Sequence, residues 1–580
     1  MLYPQTNEVR TCLSLDGLWN FSRKAPTADT DFPSEGFLAV PGSWNEQNND
    51  LYHYHGRVWY RRTFRVPSIM SGQAIFLHFG GALYQAEVFL DGLSLGRCDF
   101  GLLPFEFDIS NLTFPSNCHE LVVAVDGFPQ PKQAIGTGDF YEYGGLHRHV
   151  SLVVLPTSRL SSCKVDTSLT PRGGGLELKF EATHGDRLEA SICGITETCA
   201  LTAGVGSMTF AVPGIIPWSC DSPQLYDLQL SLFAGNEKTD VYRLAIGFRE
   251  IQVVGRQILL NGNPIQLRGF GKHEDFHILG KAVNDALNVR DFNLMKWCGA
   301  NSFRTAHYPY SEEILALADA EGFLVIDEAP FVNFSEPDFI NTDKLAHAQA
   351  LLAALISRDQ NHPSVISWSV GNECASDSPK AVGFFSALIN SARMLDSRPI
   401  MYVAWTQPEE DNVYPLADII GFNRYYGWYG YPDWGEPVRP GDLRQAISEL
   451  DACINRFADR FEKPLILSEF GVDTIAGFHS MFLKQFTEEF QVRFLCDYIQ
   501  LLKGKECIAG MHIWNFADFN TNQNTTRVNG NRKGLFTRER TPKSAAFAVR
   551  KLWTGSDDLG LLALGDTPET GKGRSTWRFE

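Results

Sequence analysis

The chain has 580 residues, 44% hydrophobic and 21% charged, with a formal net charge of −17 at pH 7. Its length calls for several hydrophobic cores, its acidity argues against a general nucleic-acid binder, and the lack of an apolar run of about 18 residues leaves no candidate membrane span. The twelve cysteines form no CxxC pair with metal-ligand spacing, which predicts buried thiols in a reducing compartment. The opening stretch "MLYPQTNEVRTCLSLDGLWNF" lacks a basic region followed by an apolar core, so the expected location is cytoplasmic, or secreted if a signal was removed.

In chain order, residues 1–157 carry short alternating runs, "VWYRRTFRVP", "AIFLHFGG", "AEVFLDGLSLG" and "HELVVAVDG", with a hairpin signal at Asp91-Gly92. They predict an antiparallel β-sandwich. Residues 158–254 continue with "GLELKFEATHG", "LEASICG", "SMTFAVPG" and "YDLQLSLFAGNEKTDVYRLAIGF", which fit a small immunoglobulin-like sandwich. From 255 to 580, strand-like runs alternate with helical patterns, the rhythm of parallel β/α units. Eight candidate strands, "IQLRGFG", "ANSFRTA", "GFLVIDEA", "SVISWSVGNE", "MYVAW", "DIIGFNRYY", "PLILSEFG" and "IAGMHIWNFADF", are the number that closes a (β/α)8 TIM barrel. Helices are expected over "SEEILALADAEG", with Ser311 as N-cap and Gly322 as stop, over "SMFLKQFTEEFQVRFLCDYIQLLKG" and over "KSAAFAVRKLW". The final "GDTPETGKGRSTWRFE" reads as a loop-like or disordered tail.

In such a barrel, chemistry gathers where strands end. The fourth strand ends in Asn372-Glu373 and the seventh in Ser468-Glu469. Two carboxylates facing each other across the mouth are what glycoside hydrolysis requires. A basic loop, "TTRVNGNRKGLFTRER", also stands out in so acidic a chain, and calls for a small anionic partner or a structural explanation. "HEDFH" at His273 to His277 satisfies the HExxH pattern, but no helical periodicity surrounds it to bring both histidines to one face, so no metal or other cofactor is expected. His273 and Glu274 are expected to line the barrel mouth instead.

Together "SWSVGNE", "ILSEFG", "ANSFRTAHYPY", "IDEA", "FNRYYGWY", "WNFADF" and "TTRVNGNRKGLFTRERTPKSAAF" resemble β-glucuronidases of glycoside hydrolase family 2. The likeness extends back to "LDGLW" and "DFYEYGGLHRHV" near the start. It implies a multidomain fold: a jelly-roll sugar-binding β-sandwich, an immunoglobulin-like domain and a catalytic barrel. It implies Glu373 as acid/base, Glu469 as nucleophile and Tyr425 as the phenol that positions the nucleophile. Asn372 and Asn423 are implied to bind substrate, and Asp139, His307 and Trp514 to line the sugar site. Asn531 and Lys533 are implied to grip a uronic-acid carboxylate, with Arg527 and Tyr429 completing the pocket. Gly530 and Gly534 would let that loop turn sharply, while Arg532, Arg538 and Arg540 read as a solvated basic surface.

The implied substrates are small β-glucuronide conjugates or the terminal glucuronic acid of glycans, and the implied assembly is a homotetramer. Cys374 stands where many relatives have proline; it reads as a small buried thiol, one that could still allow inhibition by thiol reagents. The short "PFVNFSEPDFINTDKLAHAQ" suggests an open aglycone side. A β-galacturonidase, a β-galactosidase of the same family and a carbohydrate-binding protein without catalysis remain alternatives.

Overall fold

In the computed structural model, which describes residues 1–26, 32–66, 73–112, 118–429 and 441–556, apolar alternation builds two packed antiparallel sheets at the N-terminus. The larger runs Gly36–Val40, Gly17–Ser22, Arg57–Arg65, Cys118–Asp126, Gln85–Leu90, Leu93–Cys98; the smaller runs Thr11–Ser14, Val150–Leu155, Ala74–Phe79, Phe105–Asp108. Trp19, Phe21 and Val123 from one sheet pack with Leu77 and Leu152 from the other. The hairpin signal is realised: Asp91 and Gly92 have φ of 49° and 81°, the pair of positive angles a two-residue primed turn needs.

A second sandwich follows. Leu160–Thr170, Gly173–Ala182 and Val205–Pro213 form one sheet, and Ile195–Ala200, Arg187–Ile192, Tyr226–Ala234 and Glu237–Ile246 the other. Val165, Leu178, Leu188 and Leu230 fill the space between them. A small sheet over Ile251–Val254, Gln257–Leu260 and Asn263–Ile265 then leads into the barrel. Its Ile258 and Leu260 cluster with Leu267, Ile326, Ile366 and Ile466 and close the end of the barrel away from the strand termini.

The barrel strands are β1 Leu267–Gly271, β2 Ser302–Arg304, β3 Leu324–Glu328, β4 Val365–Asn372, β5 Ile400–Ala404, β6 Ile419–Asn423, β7 Leu465–Glu469 and β8 Ile508–Ile513. All neighbours are parallel, and β8 pairs with β1 to close the ring. Long helices follow seven of them: α1 Asp285–Cys298, α2 Glu312–Glu321, α3 Thr342–Asp359, α4 Lys380–Leu395, α5 Leu443–Arg460, α6 Glu488–Lys503 and α7 Ser544–Thr554. The β5 to β6 crossover, residues 405–418, has none. There the Asp411 carboxylate accepts from the Val413 and Tyr414 backbone at 2.7 Å each and holds the turn instead.

One helix expectation holds and one is corrected. Helix α2 has Ser311 at its N-cap and Gly322, φ 77°, at its C-cap, as expected, although the Ser311 side chain makes no capping bond. Helix α6 starts at Glu488, not at Ser480, because the Thr487 hydroxyl caps the Phe490 amide at 3.3 Å. The Glu488 carboxylate then takes the Gly477 and Ser544 amides at 2.7 Å each, tying the preceding segment and the start of α7 to one point. The quoted C-terminal tail lies outside the described residues. Among the described residues no helix is long and apolar enough to cross a membrane.

Candidate active site

The strands are apolar along their length, so their polar ends converge at one mouth. β2 ends in Arg304, β3 in Glu328, β4 in Asn372 with Glu373 next, β6 in Asn423 and β7 in Glu469. A crevice of about 1350 Å³ lined by Tyr3, Lys179, Glu312 and Arg358 sits elsewhere, between the second sandwich and the barrel. Cavity size therefore does not locate the chemistry; the convergence of charged groups does.

Glu469 is held on both oxygens. Arg304 donates to Oε1, and the Tyr425 hydroxyl donates to Oε2 at 2.6 Å. His307 Nε2 lies 3.7 Å from Oε1. The same Arg304 guanidinium donates to both oxygens of Glu328 at 2.7 and 2.9 Å. Glu328 also meets His307 Nδ1 at 2.9 Å and accepts from Ser369 at 2.7 Å. Burial pushes the Glu328 carboxyl up, but Arg304 and His307 outweigh it and hold it below its usual range. Burial pushes the Tyr425 phenol well up, and the Glu469 charge adds to this, so it is a donor at neutral pH. Trp514 stacks on His307 with ring centroids 5.1 Å apart.

Glu373 has a different environment. It follows the end of β4 with φ 52°, a left-handed conformation uncommon for a side chain of this size. Burial and the nearby Glu469 charge push its carboxyl up to about 7. Asn423 Nδ2 opposes this by donating to Glu373 Oε1 at 2.7 Å. The Asn423 amide also donates to Asn372 Oδ1 at 3.3 Å and accepts from Ser468 at 2.9 Å, so both of its donors are engaged by protein. One carboxyl is therefore pushed toward the protonated form while its neighbour is held by a cation and a phenol.

The basic loop divides into two parts. Lys533, Arg527 and Asn531 turn inward around Tyr429: Lys533 Nζ and Arg527 Nη2 donate to its hydroxyl at 2.8 and 2.6 Å. Asp139 reaches in from the first sandwich and accepts from Arg527 Nε at 2.6 Å and Asn531 Nδ2 at 2.9 Å. The other three arginines correct the expectation of a solvated surface. Arg538 pairs with Asp275 and Glu46 and Arg540 with Asp291, partners distant in sequence, while Arg532 pairs with the nearer Asp518. The glycines also differ in purpose. Gly530 has φ 91° and makes the turn, whereas a Cβ on Gly534 would sit 2.2 Å from the Asp518 amide, so close packing excludes a side chain there.

Other expectations resolve individually. Cys374 is the small buried thiol expected: it is 1% exposed and burial pushes its thiol up to about 12, which argues against attack by thiol reagents. "HEDFH" forms no helix: His273 is buried against Tyr308, His277 is exposed, and Glu274 pairs with Arg148. Three charged residues went unnoticed in the sequence: Arg304, Glu328 and Asp473. The signal was available for the first two, since β2 and β3 also end in charge after apolar runs. Asp473 gives no such signal, because its partners lie in the basic loop some sixty positions later.

Comparison with known proteins agrees with this architecture. The sugar-binding domain of family 2 glycosyl hydrolases matches residues 12–156, the second family 2 domain 152–249 and the family 2 TIM barrel domain 251–557. The chain belongs to glycoside hydrolase family 2 and is a glycoside hydrolase. Within that family it is similar to several β-glucuronidases. It is 36% identical to the β-glucuronidase of Paenibacillus borealis over 95% of this chain and 98% of that one. To the human β-glucuronidase it is 35% identical over 95% and 92%. Among solved structures it is similar to the β-glucuronidase of Bifidobacterium dentium complexed with coumarin-3-O-glucuronide, with TM-score 0.90 and 32% identity over 96% of this chain and 99% of that one. The Dictyoglomus thermophilum β-D-glucuronidase gives TM-score 0.87 and 36% identity over 96% and 99%.

Proposed function

We propose that this chain is an exo-acting, retaining β-D-glucuronidase that releases glucuronic acid from small β-glucuronide conjugates or from the ends of glycans. The carrying observation is that a carboxyl raised to about 7, Glu373, stands beside a carboxylate held by Arg304 and Tyr425, Glu469. Glu373 protonates the leaving oxygen while Glu469 attacks the anomeric carbon. The C–O bond to the aglycone breaks as the C–O bond to Glu469 forms. Glu373, now a base, takes a proton from water, whose oxygen displaces Glu469 and restores the starting configuration. Tyr425 and Arg304 hold the Glu469 carboxylate by its two oxygens and aim it. Asn372, His307 and Trp514 bind the sugar, and Asn423 acts on it through Glu373.

Substrate choice rests on the second cluster. Lys533, Asn531, Arg527 and Tyr429 present donors that a uronate can accept from and a neutral CH₂OH cannot fully use, and Asp139 takes sugar hydroxyls. Hydrogen bonds to a charged group contribute about 1.5–3 kcal/mol each, or roughly tenfold to a hundredfold in selectivity. The similarity to β-glucuronidases described above supports the same substrate. The test is initial rate on matched p-nitrophenyl β-D-glucuronide, galacturonide, glucoside and galactoside. Dominance of glucuronide is expected. Preference for galacturonide would keep the anion pocket but change the epimer, and turnover of neutral sugars alone would overturn the reading of the basic loop.

A further inference from the structure

Asp473 lies four residues beyond Glu469, on the loop leaving β7, and is 2% exposed. Its Oδ2 accepts from Lys533 Nζ and, at 3.3 Å, from Arg527 Nη1; its Oδ1 accepts from the Arg532 backbone amide at 2.8 Å. The Thr474 amide donates back to the Arg532 carbonyl at 2.9 Å. One carboxylate thus contacts both cations of the cluster, and its segment of chain is fastened to the basic loop in both directions. Burial pushes this carboxyl up, but Lys533 and Arg527 outweigh that and keep it ionised.

We propose that Asp473 is a positioning and specificity-determining residue, which holds Lys533 and Arg527 in the arrangement that reads the uronate and sets that arrangement in register with Glu469. The inference rests on the uronate-reading role given above. A lysine ammonium ends a flexible stem and carries three donors. Asp473 and Tyr429 occupy two of them, which fixes the direction of the third. Because Asp473 and Glu469 share one short stretch of chain, carboxylate recognition at one end of the sugar is tied geometrically to attack at the other. Binding energy remote from the reacting bond can then serve orientation.

Charge alone predicts the opposite sign. Two cations, Lys533 and Arg527, face two carboxylates, Asp473 and Asp139, so neutralising Asp473 would leave the pocket more positive and strengthen anion binding. If Asp473 were only a counter-charge, Asp473→Asn would lower KM for the glucuronide. As a positioning residue it raises KM and lowers kcat together.

The experiment measures kcat and KM on p-nitrophenyl β-D-glucuronide for Asp473→Asn in the wild-type and Lys533→Ala backgrounds, with Asp473→Glu alongside and thermal denaturation as a folding control. The expected result is a loss in kcat/KM of at least about tenfold from Asp473→Asn alone, shrinking below about threefold once Lys533 is absent. Asp473→Glu, which keeps the charge, is expected to lose less than Asp473→Asn. An equal loss in both backgrounds would mean general damage to the fold and overturn the proposal, as would a lowered KM. If Lys533→Ala itself has no selective effect on glucuronide over glucoside, the uronate reading fails; if it does and Asp473→Asn has none, only the present inference fails.

Discussion

Arg304 donates to Glu469 with the same guanidinium that grips Glu328, and neither the cation nor Glu328 is exposed at all. This buried cation stands between two carboxylates that would otherwise repel each other. Replacing it by Met is expected to destabilise the fold by about 3–5 kcal/mol, the usual consequence of leaving a buried charge without its partner. Denaturant titration checks this. The same variant should lose glucuronide turnover by more than its folded fraction explains, because Glu469 then loses the donor that holds its Oε1.

The pH profile of kcat/KM should carry an alkaline limb near 7. Glu373 is raised above the ordinary carboxyl range, so it holds its proton below that pH and loses it above. Rate should fall about tenfold per pH unit beyond the limb. Asn423 favours the ionised form by donating to it, so Asn423→Ala should move the limb upward. A downward shift would contradict the assignment of the acid.

Glu469→Ala should abolish hydrolysis by roughly a thousandfold or more. Added azide should partly restore turnover and give a glycosyl azide of inverted configuration, since azide then attacks from the face Glu469 used. Azide rescue of Glu373→Ala should instead give the retained configuration. Product analysis by NMR distinguishes the two, and exchanged outcomes would reverse the two roles.

Lys533→Ala should lower the ratio of glucuronide to glucoside turnover by at least about tenfold. An equal loss on both substrates would remove Lys533 from carboxylate recognition and leave it a structural partner of Tyr429.

The strand ends are legible because β3, β4, β6 and β7 are mainly apolar runs that close on a polar residue; β4 with Asn372 and Glu373 shows the pattern plainly. Burial by helices outside and neighbours inside makes charge costly along most of a strand and leaves its end as the main place for it. Helix α6 was misjudged because "SMFLKQF" has the composition of a helix, and only the Thr487 cap and the bonds made by Glu488 reveal where winding starts. Arg538 and Arg540 looked like solvated charge because their partners, Glu46, Asp275 and Asp291, stand hundreds of positions earlier. Local sequence carries no trace of such pairings. Asp473 was hidden for the same reason.

Asp139 belongs to the first sandwich, yet it shares Arg527 and Asn531 with the barrel, and nearby the Gly136 amide donates to the Pro330 carbonyl at 2.7 Å while the Tyr141 amide donates to Asn520 at 3.0 Å. The N-terminal domain is therefore a wall of the working cleft and not a detachable module. Excising the barrel to obtain a minimal enzyme would remove one side of the sugar's seat, and transplanting a jelly roll from another relative would succeed only if its counterpart of this strip carried the same acid at the same height.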